Sequence, residues 1–151
     1  MYEFLDYQAQ DVMTRDPVTV SPNATLTELE QIFESHDFNS LPVIDDNGNI
    51  QGIVTKLDLL RAFEFDDEHT FPPYQEIMKR RVRSVMSREV RYVFPRTRLP
   101  RVLTRLLDTG SKSLPVLDDE RLVGIVARED VMRGLRQAVD GQKATDDEST
   151  L

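Results

Sequence analysis

Cysteine and tryptophan are absent from this chain of 151 residues, and histidine occurs only as His36 and His69. Without cysteine the chain has no disulfides, thiolate metal ligands or thiol nucleophiles. The two histidines show no metal-ligand spacing and partner no serine, so we expect neither a metal site nor catalytic residues. The chain is therefore not expected to be an enzyme, and a reducing cytoplasm is its expected location.

Long apolar runs are also missing. No stretch approaches the roughly 18 apolar residues of a membrane helix, and the first residues, MYEFLDYQAQDVM, lack the charged and apolar regions of a secretory signal. We therefore expect no membrane association. The length suits one domain or one tightly fused pair of half-domains.

Acidic residues outnumber basic ones by 27 to 19, and the net charge of −8 argues against nucleic acid as a partner. The charge is nevertheless uneven, because residues 79–105 contain a single acid, Glu89, among many arginines and lysines. One interpretation is that two halves of the molecule, or two copies of it, have complementary electrostatic fields. The alternatives are a phosphate-bearing ligand or an acidic partner at this strip. The aromatic residues Tyr92 and Phe94 are too few for a single-strand binding platform.

The dominant positive feature is an internal repeat. Residues 12–61 contain VMTRDPVTVSPNATL followed later by SLPVIDDNGNIQGIVTKLDLLR. Residues 85–133 contain the similar pair VMSREVRYVFPRTRL and SLPVLDDERLVGIVAREDVMR. A repeat of this length is one supersecondary unit that needs a packing partner, so the two copies are expected to form the folding unit.

Each copy has the same predicted order of elements. A short strand (Val18–Val20 or Tyr92–Phe94) precedes a helix with apolar residues spaced three and four apart, then a hairpin and a second helix. The fold class is therefore mixed α/β (α+β), with two β-α-β-β-α repeats packed face to face about a pseudo-two-fold axis. The predicted divisions are repeat 1 at residues 8–63, an inter-repeat segment at 64–81, repeat 2 at 82–138 and a disordered tail at 139–151.

The strongest chemical pattern is Gly52, Thr55 and Asp58 in GIVTKLD. It predicts a hydroxyl where a strand becomes a helix and a carboxylate one turn later. A helix N-terminus suits phosphate, and a carboxylate can accept both hydroxyls of a ribose. The alternative is a capping box, in which Thr55 and Asp58 satisfy backbone donors. The second copy has Ala127 without the hydroxyl but keeps Asp130, which favours a ligand role for Asp130.

The doubled motifs resemble a tandem pair of cystathionine-β-synthase-type (CBS) domains, also called a Bateman module, over roughly residues 8–138. The resemblance implies a regulatory module that binds an adenosine-containing ligand (AMP, ADP, ATP or S-adenosylmethionine) in clefts between the repeats. It also implies a homodimer, which the second helices with Leu57, Leu60, Val131 and Leu135 would form.

The same resemblance assigns roles to individual positions. Asp58 and Asp130 are expected on ribose and Thr55 near phosphate, with Arg128 as a substitute at the position next to Ala127. The residues expected to line the Asp130 cleft come from the first copy: Thr19, Ser21, Phe38 and Asn39. Those expected to line the Asp58 cleft come from the second copy: Phe94, Ser111 and Lys112, the last reaching phosphate.

Two functions from different classes remain open at this point. The first is a stand-alone regulatory module that binds an adenine nucleotide, needs no further cofactor and signals to an unidentified protein partner. The second is a ligand-free interaction or scaffolding protein of the same fold, which the incomplete motif at Ala127 favours.

Overall fold

The computed structural model describes residues 2–64 and 73–149 and divides into two compact units. The first-repeat unit is Val18–Val90, and the second-repeat unit combines Met1–Pro17 with Arg91–Leu151. Each unit holds the helix and hairpin of one sequence copy. The segment that opens each copy in the sequence belongs to the compact unit of the other copy.

The architecture is mixed α+β with two small antiparallel sheets, as the sequence predicts. In chain order the elements are α1 Tyr2–Asp6, α2 Ala9–Val12, α3 Leu26–Ser35, β1 Ser40–Ile44, β2 Ile50–Thr55, α4 Lys56–Arg61, α5 Tyr74–Met78, a 3-10 turn at Val82–Ser84, α6 Leu99–Thr109, β3 Ser113–Asp118, β4 Arg121–Ala127 and α7 Arg128–Ser149.

The first helix of each copy forms where the apolar stripe predicts it. In α3 the buried residues are Leu26, Leu29 and Phe33, and in α6 they occupy the equivalent stripe. Thr25 caps α3, because its hydroxyl accepts the backbone N–H of Glu28. Helix α5 belongs to the same unit. The hydroxyl of Tyr74, its first residue, donates to Glu30 Oε2 on α3 at 3.1 Å, and this hydrogen bond raises the pKa of Tyr74.

Both predicted hairpins are present, as β1–β2 and β3–β4. The first turns at Gly48, whose φ of 84° lies in the left-handed region that glycine adopts without strain. Asp45 accepts the backbone N–H groups of Asn47 and Asn49, which fixes this turn. In the second hairpin Asp119 takes the positive φ instead, at 59°.

The opening strand of each copy is shorter than predicted. Val20 makes one parallel bridge, with its N–H donating to Pro42 and its carbonyl accepting from Ile44. Extending this ladder in either direction would need an N–H from Pro42 or from Pro22, and proline has none. Prolines at the equivalent positions confine Val93 to a single bridge in the second-repeat unit.

Each unit has its own hydrophobic core. In the first-repeat unit α3, β1, β2 and α5 contribute side chains that are fully or nearly fully buried, such as Leu29, Val43 and Ile77. In the second-repeat unit the core gathers α1, α2, α6, the hairpin and α7, and Ala138 on α7 is fully buried there.

The segments around Thr14 and Ser87, which open the two copies, pair with the hairpin strands beside a glycine. Ser87 exchanges two backbone hydrogen bonds with Ile53, at 2.8 and 2.9 Å, beside Gly52. A Cβ on Gly52 would collide with the carbonyl oxygen of Ser87, so the absence of a side chain permits this pairing. Gly124 makes the same kind of room for the Met13 side chain in the second-repeat unit.

Helix α7 extends to Ser149, which differs from the disordered tail predicted from residue 139. The buried Ala138 anchors this helix. Once a helix has formed, each further residue adds one backbone hydrogen bond, so polar residues can extend α7 beyond its anchor. No helix within the described ranges combines the length and apolar character that a membrane crossing requires.

Candidate functional site

The candidate site of the first-repeat unit lies where β2 becomes α4. Thr55 is the N-cap of α4, and its hydroxyl accepts the Asp58 backbone N–H at 3.0 Å. In return Asp58 Oδ2 accepts the Thr55 backbone N–H at 2.9 Å. These reciprocal bonds form a capping box, so the capping interpretation of Thr55 and Asp58 is correct. Capping uses one carboxylate oxygen and therefore leaves the other available.

The second oxygen of Asp58 makes no hydrogen bond among the described residues, and the Asp58 side chain is 14% exposed. Its nearest cation is Arg61, with an NH1–Oδ1 distance of 3.8 Å, which is beyond hydrogen-bond range. The Arg61 side chain is mostly exposed and adopts this position at little energetic gain. Asp58 Oδ1 is thus a charged acceptor that a ligand hydroxyl can reach at the start of α4.

The equivalent carboxylate of the second-repeat unit is fully engaged. Asp130 Oδ2 accepts the Ala127 backbone N–H at 2.7 Å, and Oδ1 accepts from Arg133 NH2 at 2.8 Å. The same Arg133 nitrogen donates to the Val12 carbonyl at 2.8 Å. Asp130 is only 5% exposed. Losing the capping hydroxyl at Ala127 therefore does not free Asp130, because the backbone and an arginine still occupy both of its oxygens.

Arg128 is also engaged with its own unit. Its Nε donates to the Ser111 carbonyl and its NH2 to the Gly110 carbonyl, both at 3.0 Å. The Arg128 backbone N–H donates to the Lys112 carbonyl at 3.1 Å. Arg128 therefore holds the segment that joins α6 to β3 against the start of α7. In this arrangement two of its donors are unavailable to a phosphate, and its clearest role is to position Ser111 and Lys112.

The first-repeat unit repeats this contact with different residues. The Lys56 backbone N–H donates to the Asn39 carbonyl at 3.0 Å, which places Asn39 beside the start of α4. Phe38 stacks on His36 at 5.2 Å between ring centroids, and it remains 40% exposed. An exposed aromatic face at this position is suited to stacking on a flat ring.

The remaining predicted residues flank the single-residue bridges. Thr19 and Ser21 lie on either side of Val20, and the Ser21 hydroxyl accepts the Asn23 backbone N–H at 3.1 Å. Phe94 is exposed beside its own bridge and makes an edge-to-face contact with Tyr92, with 5.4 Å between centroids.

The two predicted groups of lining residues fall in different units. The first-repeat unit holds Thr19, Ser21, Phe38, Asn39, Thr55 and Asp58, and the second-repeat unit holds Phe94, Ser111, Lys112, Arg128 and Asp130. Asn39 lies beside the start of α4, and Lys112 lies beside the start of α7. The crosswise lining expected from the family pattern stays a prediction.

Sequence reasoning missed the arginine partners of both carboxylates. Arg61 and Arg133 each follow their aspartate by three residues, one helical turn further along α4 and α7. That spacing places both side chains on one helix face, and its recurrence in both copies was a signal for it.

Within the described ranges, no group of three or more histidines, cysteines or acids could hold a metal ion. His36 Nδ1 lies 3.1 Å from the Ile32 carbonyl oxygen, at the end of α3. His69 lies outside the described residues.

Comparison with known families identifies the chain. The model of the CBS domain matches residues 9–64 and again residues 82–137, together more than half of the sequence. The chain therefore belongs to the CBS domain family, and the resemblance found in the doubled motifs is confirmed.

Solved structures of CBS pairs share the fold. A Vibrio cholerae protein named for acetoin utilization, AcuB, matches with a TM-score of 0.78 and 26% identity over 93% of this chain and 98% of that one. CBSX2 of Arabidopsis thaliana, in a complex with AMP, matches with a TM-score of 0.72 and 28% identity over 87% and 98%. The CBS pair of protein MJ0100, in a complex with 5′-methylthioadenosine and S-adenosyl-L-methionine, matches with a TM-score of 0.67 and 26% identity over 87% and 98%.

The first curated relatives are much longer proteins. The chain spans 22% of an L-aspartate semialdehyde sulfurtransferase and 23% of an inosine-5′-monophosphate dehydrogenase, both from Methanocaldococcus jannaschii and both 27% identical over the matched part. The match to these enzymes is thus confined to a minor part of each.

Proposed function

We propose that this protein is a regulatory module that binds an adenosine-containing ligand at the starts of α4 and α7, with Asp58 and Asp130 as ribose acceptors. The observation that carries the proposal is Asp58 Oδ1, a carboxylate oxygen that the capping box leaves available. Structurally similar CBS pairs hold AMP or S-adenosyl-L-methionine, which supports this class of ligand. The module is not itself an enzyme; its output is a change in affinity for a protein partner.

The two sites are expected to differ in affinity. Asp58 offers an open oxygen and has Thr55 and Lys56 beside it, whereas ligand binding at Asp130 must displace Arg133. The Asp58 site should therefore bind more tightly, by tenfold or more, which corresponds to about 1.4 kcal/mol.

Calorimetric titration with AMP, ADP, ATP and S-adenosylmethionine tests the proposal. Asp58→Asn keeps an amide oxygen to accept the Thr55 N–H but replaces the open carboxylate oxygen with an NH2 group, which cannot accept from a ribose hydroxyl, so the tighter affinity should fall at least tenfold. Asp130→Asn should affect the weaker site instead.

Glu28→Gln is the matched control, because Glu28 is a first-turn acid of α3 in the same unit and lies outside the site. Its affinity should equal that of the original chain. If none of the four ligands binds, the module is a ligand-free interaction protein. If Asp58→Asn binds them with unchanged affinity, the ribose assignment is wrong.

A further inference from the structure

A surface cavity of about 270 Å³ in the first-repeat unit lies away from the start of α4. Its lining residues are Pro22, Asn23, Gln51, Arg83, Met86 and Arg88. Gln51 precedes Thr55 by four residues on β2, a separation of about 13 Å along the strand. The cavity is therefore distinct from the adenosine site proposed above, and it lies in the basic strip that the adenosine site does not explain.

Two arginines of this cavity have unpaired side chains. Among the described residues, neither the Arg83 nor the Arg88 guanidinium makes a hydrogen bond or an ion pair. Both side chains are exposed, as are those of Lys79, Arg80 and Arg81 nearby in sequence. Two exposed guanidinium groups lining one cavity leave positive charge there that a bound anion would neutralise.

The backbone around the cavity holds the two arginines in place. Arg83 donates its N–H to the Pro22 carbonyl at 3.0 Å, and Arg81 NH1 donates to the Asn23 carbonyl at 2.9 Å. Next to Arg88, Ser87 is paired with Ile53 in both directions. The backbone positions from which the two arginine side chains extend are therefore fixed by hydrogen bonds to separate segments of the unit.

Asp45, which contacts the lining residue Gln51, already has partners within the hairpin. Gln51 donates to Asp45 Oδ2 at 3.3 Å, while Asp45 Oδ1 accepts two N–H groups of the hairpin turn. Asp45 therefore has structural partners of its own, and no ion pair joins it to either arginine of the cavity.

We infer that this cavity binds a phosphate group, held by Arg83 and Arg88 from two directions. A guanidinium presents paired N–H donors in a planar fork that matches two oxygens of a phosphate, and charge-assisted bonds of this kind are the strong ones. A tetrahedral dianion has enough oxygens for two such forks. A single carboxylate has only two oxygens and satisfies one fork.

The second-repeat unit provides an internal comparison. The position equivalent to Arg83 is Gln10, and the position equivalent to Arg88 is Arg15, which approaches the Gln10 carbonyl at 3.5 Å. This position of the second-repeat unit therefore has one arginine, bonded to the backbone, where the cavity has two guanidinium groups. Arg15→Ala is therefore a matched control that removes the same charge from the equivalent position of the other repeat.

Calorimetric titration of the full chain with inorganic pyrophosphate and with inorganic phosphate at low ionic strength tests the inference. Arg83→Ala and Arg88→Ala should each lower pyrophosphate affinity at least tenfold, and the double variant should abolish it, whereas Arg15→Ala should bind as the original chain does. Without ligand the thermal midpoints of Arg83→Ala and Arg88→Ala should be unchanged or higher, because neither substitution removes a hydrogen bond or an ion pair among the described residues.

Two further measurements are needed. Competition with AMP distinguishes a nucleotide phosphate from inorganic phosphate, and the Asp58→Asn variant distinguishes this cavity from the proposed adenosine site. Displacement of pyrophosphate by AMP indicates a nucleotide phosphate as the occupant, and failure of AMP to displace it indicates an inorganic phosphate. Asp58→Asn should leave pyrophosphate affinity unchanged, whatever it does to nucleotide binding. No pyrophosphate binding, equal losses in Arg15→Ala, or loss in Asp58→Asn would overturn the assignment of this cavity.

Discussion

At the level of single residues, Asp58 and Asp130 occupy matched positions but differ in what surrounds them. Each accepts the backbone N–H of the residue three positions earlier, at 2.9 and 2.7 Å. Thr55 completes a capping box for Asp58, whereas Ala127 has no hydroxyl to donate or accept. Arg133 contacts Asp130 closely, whereas Arg61 stands off from Asp58. These differences lead to two predictions about stability.

Removing the capping hydroxyl at Thr55 and adding one at Ala127 should change the stability of the chain in opposite directions. Thr55→Ala removes the acceptor for the Asp58 N–H and should lower the free energy of unfolding by about 1 kcal/mol. Ala127→Thr supplies the missing hydroxyl and should raise it by up to about 1 kcal/mol. Urea unfolding followed by circular dichroism measures both. Equal effects of the same sign would contradict a capping role for this position.

Removing the two arginines should have unequal costs. Arg133→Ala takes a close donor from the buried Asp130 and from the Val12 carbonyl, and should destabilise the chain by about 1–3 kcal/mol. Arg61→Ala removes an exposed partner at 3.8 Å and should change stability by less than about 0.5 kcal/mol. The same urea unfolding assay compares them, and similar values for both would show that Arg133 does not hold Asp130.

At the level of elements, each hairpin depends on an opening segment that pairs beside a glycine. Ser87 pairs with Ile53 next to Gly52, and Thr14 pairs with Ile125 next to Gly124. The glycine in each GIV segment therefore serves the fold of its unit directly.

Gly52→Ala should destabilise the first-repeat unit by about 1–3 kcal/mol, because the new methyl group would collide with the Ser87 carbonyl, a backbone atom that cannot rotate away. Thermal and urea unfolding measure the loss. Gly110→Ala is a useful comparison, since no atom lies within 4 Å of its new Cβ and only its φ of 65° opposes the change. A cost for Gly52→Ala no larger than that for Gly110→Ala would rule out the collision.

At the level of the whole molecule, the second helices leave apolar side chains uncovered. Leu60 on α4 and Met132 on α7 occupy equivalent positions of the repeat and are 68% and 52% exposed. Two residues named for dimerisation from the sequence serve a different purpose, because Val131 is buried in the core of its own unit and Leu135 packs against that core. Leu57 and Leu60, the other two residues named, are exposed, and Met132 joins them in the proposed dimer contact.

We expect the chain to be a dimer in solution and the variant with Leu60→Asp and Met132→Asp to be a monomer, because two charges in an apolar contact are costly to bury. Analytical ultracentrifugation measures the mass. Leu107→Asp is the control, since Leu107 is equally uncovered but lies on α6. A mass of 17.4 kDa for the unaltered chain at tens of micromolar would contradict this prediction.

The sequence by itself determined the repeat, which a comparison of its two halves reveals. It also determined the apolar stripes of α3 and α6 and both hairpins, because each of these depends on residues within a few positions of one another. The capping box at Thr55 and Asp58 was readable for the same reason. Even the shortening of the opening strands has a sequence cause, since Pro22 and Pro42 lack the N–H groups that a longer ladder needs.

Only the tertiary structure decided which distant residues meet. The pairing of Ser87 with Ile53, the bond from Arg133 to the Val12 carbonyl and the shared cavity of Pro22 and Arg88 all join positions far apart in the chain. Such contacts form because packing of the whole unit outweighs the entropy lost in closing the intervening loops. Local spacing contains no information about that balance, and it therefore could not show that Asp130 is occupied while Asp58 retains an open oxygen.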